Sequence, residues 1–177
     1  IYGQKRRYRC SSNYNSTENM IKIIGTFFYA GLFPFAPGTI GSLLGMICGI
    51  ILFYISGLNY FIAIIVIVFF LGWWASNKTI LKTNNTDPSE IVIDEVIGQW
   101  IGLIPTFIVL KDKFNEIANL PYQALLVTFI LFRIFDIIKI GPIKWADELN
   151  NGFGVMFDDV LAGIATGLIM IIYLFVN

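Results

Sequence analysis

Residues 40–75 read IGSLLGMICGIILFYISGLNYFIAIIVIVFFLGWWA, and they lie inside a stretch from Ile23 to Asn77 that holds no Asp, Glu, Lys or Arg. Its 55 residues exceed twice the roughly 20 that one helical crossing of a bilayer needs. Ser56-Gly57-Leu58-Asn59 supplies the natural turn, so the stretch divides into spans at 40–57 and 60–75. Outward from there, further apolar segments occupy 91–110, 121–138 and 155–176, joined by links at 76–90, 111–120 and 139–154. Met20 to Phe33 reads as a half-span or an interfacial helix. The expected fold is all-α: a polytopic transmembrane helical bundle of about five spans plus an N-terminal interfacial helix.

The composition agrees. The chain has 177 residues, 56% of them hydrophobic and 14% charged, against about 25% charged in a usual soluble domain. Its mean hydropathy is +0.73. Too few polar residues remain to coat a compact soluble core, which excludes a soluble enzyme, a disordered chain and a disulfide scaffold. Residues 20–177 form one membrane-embedded domain. Residues 1–19, rich in Ser, Asn and Tyr, read as a polar basic tail, disordered or upstream of a start at Met20. No cleavable signal peptide is expected, because the first apolar stretch runs into Phe33-Pro34-Phe35-Ala36-Pro37-Gly38 without a small-residue cleavage site. No internal repeat is visible.

Charge sets the orientation. Twelve basic residues balance twelve acidic ones, so nothing favours nucleic acid as a partner. Lys5, Arg6, Arg7, Arg9 and Lys22 crowd the N-terminal region, the 76–90 link adds Lys78 and Lys82, and the 139–154 link adds Lys139 and Lys144. Five crossings with the N-terminus inside put these nine in cytoplasmic segments and leave Lys111 and Lys113 outside. Trp73, Trp74, Trp100 and Trp145 then fall near membrane boundaries and read as belt residues. Asp87 and Glu90 read as solvated link residues. The absence of histidine excludes His-dependent triads and His-ligated metals. Cys10 and Cys48, one in the tail and one in an apolar run, suit neither a disulfide nor a metal site.

Charges inside spans are costly, about 2.5–3.5 kcal/mol each at the bilayer centre on insertion scales, so those kept point to function. They are Asp94 and Glu95 in the third span, Arg133 and Asp136 in the fourth, and Asp158 and Asp159 in the fifth. In the orientation above all three clusters fall at cytoplasmic ends and can meet at one depth. Five carboxylates against Arg133 and Lys139 leave a formal charge of −3. A hard divalent cation relieves that repulsion, and Mg²⁺ fits, because it uses a few carboxylates, waters and substrate phosphate. Beside them, Phe35-Ala36-Pro37-Gly38-Thr39-Ile40-Gly41-Ser42 is a Gly-bearing turn feeding a helix, with Thr39 as its cap. Such a turn offers backbone N–H groups to a phosphate at Gly38, Thr39 and Ser42. In the last link, Pro142 ends or kinks a helix, Asn150-Asn151-Gly152-Phe153-Gly154 forms a flexible turn, and Lys139 and Lys144 suit phosphate or anionic lipid.

Four motifs in order resemble a known family. They are Phe35-Ala36-Pro37-Gly38-Thr39 with Gly41-Ser42; Ile91-Val92-Ile93-Asp94-Glu95 with Gly98; Phe132-Arg133-Ile134-Phe135-Asp136 with Lys139 and Pro142; and Gly152-Phe153-Gly154-Val155-Met156-Phe157-Asp158-Asp159 with Gly163. From about Gly31 to the C-terminus the chain resembles phosphatidylglycerophosphatase A. The resemblance implies a multi-pass enzyme of the bacterial inner (cytoplasmic) membrane. It also implies Mg²⁺-dependent removal of the terminal phosphate from phosphatidylglycerophosphate, a membrane phospholipid, to give phosphatidylglycerol. Ile140 departs from the Pro often found after the lysine, and Asn150-Asn151 stands where a His-Gly-like pair is expected.

Neither cysteine is followed by the arginine of a cysteine-phosphatase loop, and no Asp-x-Asp-x-Thr signature occurs. A metal-activated water or an aspartyl phosphate remains, and the water route is favoured. Mg²⁺ would bind Asp94, Asp158 and Asp159, Glu95 or Asp136 would act as base, and Arg133 and Lys139 would hold phosphoryl oxygens. Phosphatidic acid or another lipid phosphate is the nearest alternative substrate. A cation transporter built on the acidic cluster is the alternative from another class, and its sites usually lie near the midplane.

Overall fold

The computed structural model describes residues 16–86, 88–111 and 120–176. All regular structure among the described residues is helical. Helix α1 covers residues 16–25, and a short 3-10 turn follows at Ala30–Leu32. Then come α2 (Pro37–Thr83), α3 (Ile93–Val109), α4 (Tyr122–Ile138), the short α5 (Pro142–Asp147) and α6 (Gly152–Val176).

Helix α2 is two helices joined at one residue. Gly57 takes φ 73 and ψ 176, a conformation open essentially to glycine alone, and the chain reverses there. The contacts on either side establish the reversal. Gly41, Gly45 and Gly49 bring the first arm against Val92, Val96 and Trp100, so it runs parallel to α3. In the second arm Phe61 packs on Phe107 and Gly72 on Ile93, so it runs antiparallel. The turn expected over 56–59 is thus made by Gly57. Small residues four apart on the first arm allow close approach of the two backbones.

Helix α3 is central. Helix α6 lies parallel to it, with Gly163 against Gly98 and Thr166 against Gly102. Helix α4 lies antiparallel, with Phe132 over Gly98 and Thr128 beside Thr106. Far from the charged residues, Phe53 stacks on Phe107 with ring centres 4.2 Å apart, and Phe61 fills the corner between Trp100 and Phe107. Trp100 is therefore a core residue and not a belt residue: its indole N–H donates to the Gly45 carbonyl at 2.7 Å, satisfied inside the bundle. Trp73 packs on Phe153 at 5.4 Å, Trp74 is half-buried and Trp145 is exposed.

The outward faces are apolar. Ile51, Ile55, Ile67, Ile130, Leu168 and Ile172 are all exposed, which suits a hydrocarbon solvent and not water. Helices α2 and α6 are long and apolar enough to cross a membrane. Helices α3 and α4 have 17 residues each, about 25 Å at 1.5 Å per residue.

Several boundaries differ from expectation. Met20 to Phe33 is not one helix: α1 reaches back to residue 16 and stops at 25, because Phe27, Phe28 and Tyr29 all take positive φ. The Thr26 hydroxyl fixes this turn, donating to Lys22 O and accepting from Tyr29 N. Gly25 O accepts from Val92 N at 3.0 Å, and Glu18 pairs with Lys82 at 2.8 Å, so α1 is tied to the bundle. Pro142 does not end α4. Lys139 does, in a left-handed conformation (φ 47), and Pro142 instead opens α5, where its missing N–H costs nothing. Asn150 to Gly154 is a structured entry to α6. The Asn151 side chain accepts from Phe153 and Gly154 N–H, and Asn77 accepts from Gly152 N–H. Residues 1–15, Asp87, 112–119 and Asn177 lie outside the described residues, and with them Cys10, most of the basic tail and Lys113.

Candidate active site

The directions of the helices dictate where the charges go. The first arm of α2, α3 and α6 all start at one end of the bundle, and α4 finishes there. Asp94 and Glu95 sit in the first turn of α3, Arg133 and Asp136 near the end of α4, and Asp158 and Asp159 in the second turn of α6. All six line one cavity of about 320 Å³. Gly38 and Thr39 from α2, Lys139 from the end of α4, Asp147 from α5 and Ser89 from the link before α3 complete its wall.

Arg133 is held at one corner. Its Nη1 donates to Ser42 Oγ at 3.2 Å, to Glu95 Oε1 at 3.4 Å and to Asp136, one turn away on α4. Lys139 bridges two acids, Asp147 at 2.6 Å and Asp158 at 2.7 Å. Burial works against its charge, but these two carboxylates outweigh it and hold the ammonium above its ordinary range. The left-handed backbone of Lys139 carries strain, and Ala36 (φ 48), which lines the same cavity, carries the same. Asp94, Asp158 and Asp159 are 8%, 4% and 3% exposed. Asp94 and Asp158 each accept from the next residue's N–H at 2.9 Å, whereas no hydrogen bond ends on the Asp159 carboxylate among the described residues.

The phosphate loop differs in detail from the sequence reading. Thr39 does not cap α2: Ala36 is the capping position, and Pro37, with φ preset and no N–H, is the first helical residue. Thr39 is therefore inside the first turn, where its N–H and that of Gly38 have no intrahelical acceptor. A Cβ at Gly38 would overlap the Glu95 carboxylate, which would have to move away from its place beside Arg133. Ser42 is fully buried and stands behind Arg133; its hydroxyl donates to Gly38 O at 2.9 Å. Lys144 points away, exposed and 3.9 Å from Glu148.

Asp147 and Ser89 were missed from sequence. Asp147 sits in a link read as loop, eight residues from Lys139, and only the turn between α4 and α5 brings them together. The signal available was an acid, Asp147, in the same link as Lys139 and Lys144.

The donor set suits a hard cation, since every anionic group here is a carboxylate. Among the described residues no three carboxylates are grouped closely enough to hold one ion directly. Any ion held here would take fewer than three protein carboxylates directly and complete its shell with water and phosphate oxygens.

Comparison with known proteins agrees with this picture. The chain is 41% identical over 150 residues to a phosphatidylglycerophosphatase A of Haemophilus influenzae, covering 84% of this chain and 85% of that one. It is 40% identical over 146 residues to a putative phosphatidylinositol-3-phosphatase of Bacteroides thetaiotaomicron, covering 80% and 86%. It is 29% identical over 148 residues to the phosphatidylglycerophosphatase A of Escherichia coli, covering 83% and 79%. No solved structure matches. The family model of phosphatidylglycerophosphatase A matches residues 23–174, and the chain belongs to that family of phosphatases.

Proposed function

We propose that this protein removes the terminal phosphate of phosphatidylglycerophosphate in a Mg²⁺-dependent reaction. In this reading it crosses the bacterial inner membrane five times and carries its active site on the cytoplasmic side. The observation that carries the reading is the convergence of α2, α3, α4 and α6 on one small cavity lined with carboxylates, Arg133 and Lys139. A lipid phosphate reaches such a cavity from the headgroup layer, without its acyl chains leaving the bilayer. The carboxylates gather at one end of the bundle, which disfavours a transporter.

Each residue has a distinct task. Gly38 and Thr39 N–H, with Arg133 and Lys139, hold the phosphoryl oxygens. Asp94 and Asp158, with Asp159 beside them, would hold Mg²⁺, which supplies charge neutralisation at the phosphate when bound. Glu95 and Asp136 both pair with Arg133, so orienting the guanidinium suits them better than proton transfer. Asp159, whose carboxylate carries no hydrogen bond among the described residues, is the better proton acceptor. A water oxygen bonds to phosphorus, its proton passes to Asp159, and the phosphorus–oxygen bond to glycerol breaks. The leaving oxygen takes a proton from solvent, giving phosphatidylglycerol and inorganic phosphate.

A second substrate, a phosphorylated phosphatidylinositol, is favoured by the 40% identity to the Bacteroides thetaiotaomicron relative. One experiment separates the two. The purified protein is incubated in mixed micelles with phosphatidylglycerophosphate, phosphatidylinositol phosphate or phosphatidic acid, with and without Mg²⁺, and released phosphate is measured. Release from phosphatidylglycerophosphate alone, abolished by chelation, is the expected result. Release from the inositol lipid alone would reassign the substrate, and metal-independent release would remove Mg²⁺ from the reaction.

A further inference from the structure

Gln99 lies in the middle of α3, is 0% exposed, and leaves both its amide oxygen and its amide nitrogen without a hydrogen-bond partner. A buried amide left in this state is costly, more so where the surrounding solvent is hydrocarbon. An apolar side chain of the same size would fill the space without that cost. The cavity lining does not include Gln99, so the chemistry described above does not use it.

Its position on the helix is informative. Gln99 is four residues beyond Glu95, hence about 40° from it around α3, and seven before Thr106, hence about 20° away. Both of those neighbours meet α4: Glu95 meets Arg133 at 3.4 Å and Thr106 meets Thr128 at 3.4 Å. Gln99 therefore lies on the face of α3 that carries Glu95 and Thr106 toward α4, one turn deeper than Glu95. The second unpaired group belongs to α4. Arg133 Nε is buried and has no acceptor, while Nη1 alone contacts Ser42, Glu95 and Asp136. A planar guanidinium anchored only through Nη1 is free to swing about that corner. A second anchor on Nε fixes its plane, and the amide oxygen is the acceptor that an N–H requires.

We propose that Gln99 is a positioning residue for Arg133. The two groups are unpaired in the resting structure; a rotation of their side chains lets the amide oxygen accept from Nε–H and turns the remaining N–H edge of the guanidinium toward the substrate phosphate. This rests on Arg133 holding phosphate, and the test is built so that the two ideas fail separately.

Gln99→Leu and the unbranched Gln99→Met are made in the full-length enzyme, alone and in an Arg133→Lys background, because lysine has no Nε–H to anchor. Thermal midpoint, kcat and KM for lipid phosphate release are measured. Gln99→Met or Gln99→Leu should melt at or above the wild-type temperature, yet lose on the order of tenfold in kcat, the effect of one hydrogen bond to a charged group, with KM within about twofold. In the Arg133→Lys background the same substitutions should cost less than about twofold. An equal loss in both backgrounds would overturn the inference, as would wild-type kcat for both Gln99 variants while Arg133→Lys is impaired. Full activity of Arg133→Lys would instead sink the phosphate-holding role itself. If Gln99→Leu does not fold, Gln99→Met decides.

Discussion

The two ends of α3 have the same length of helix and opposite purposes. At its start, Asp94 and Glu95 face a polar cavity shared with α2, α4 and α6. At its finish, Leu103 and Phe107 are fully buried, and Phe107 packs on Phe53 and Phe61. Burying like charges at one end destabilises the bundle, and packing aromatic rings at the other offsets it. Substitutions should therefore separate: at the charged end activity falls with little loss of fold, and at the aromatic end fold is lost with activity per folded molecule intact.

Asp158→Asn is the strongest attempt to break that contrast. It should reduce phosphate release by 10²–10³-fold or more, on the order of losing one preorganised electrostatic group. Its melting temperature should stay nearly level, because the lost ion pair with Lys139 is offset by the relief of one buried negative charge, and Lys139 keeps Asp147. A variant that unfolds would merge the two ends into one stability problem. Phe107→Ala is the mirror test. It should lose about 3–5 kcal/mol of stability, read from thermal melts in detergent, while the folded fraction turns over normally. Gly38→Ala sharpens the contrast at the charged end: the added Cβ collides with the Glu95 carboxylate and should cost on the order of a hundredfold in kcat through misplacement. The weakest effect is expected away from both ends. Lys82→Gln removes the largely exposed pair with Glu18 and should change stability by less than about 1 kcal/mol and leave kcat untouched.

The charged end was readable from the chain alone, and the aromatic end was not. Asp94, Glu95, Arg133, Asp136, Asp158 and Asp159 announce themselves because ionic side chains in apolar runs need a reason, and helix direction alone puts them level. Trp100 could not be placed the same way. A tryptophan in an apolar run fits a membrane belt as well as a core by residue type alone, and only the Gly45 carbonyl, 55 residues away, decides between them. Asp147 escaped for a related reason: a six-residue helix opened by Pro142 has too little periodicity to show, and its contact with Lys139 exists only in three dimensions. The cap expected at Thr39 lies three residues earlier, at Ala36, because a Thr before an apolar run resembles a cap, while the rigidity of Pro37 determines where α2 begins.

Gly57 turns the chain around in a single residue, with nothing within 4 Å of where its Cβ would be. In the five-crossing topology that leaves no loop on the outer face between the first two passes for a protease, antibody or fused tag to find. The pair is then bound to enter the lipid as one preformed hairpin, and accessibility mapping from outside should be blind to this apex.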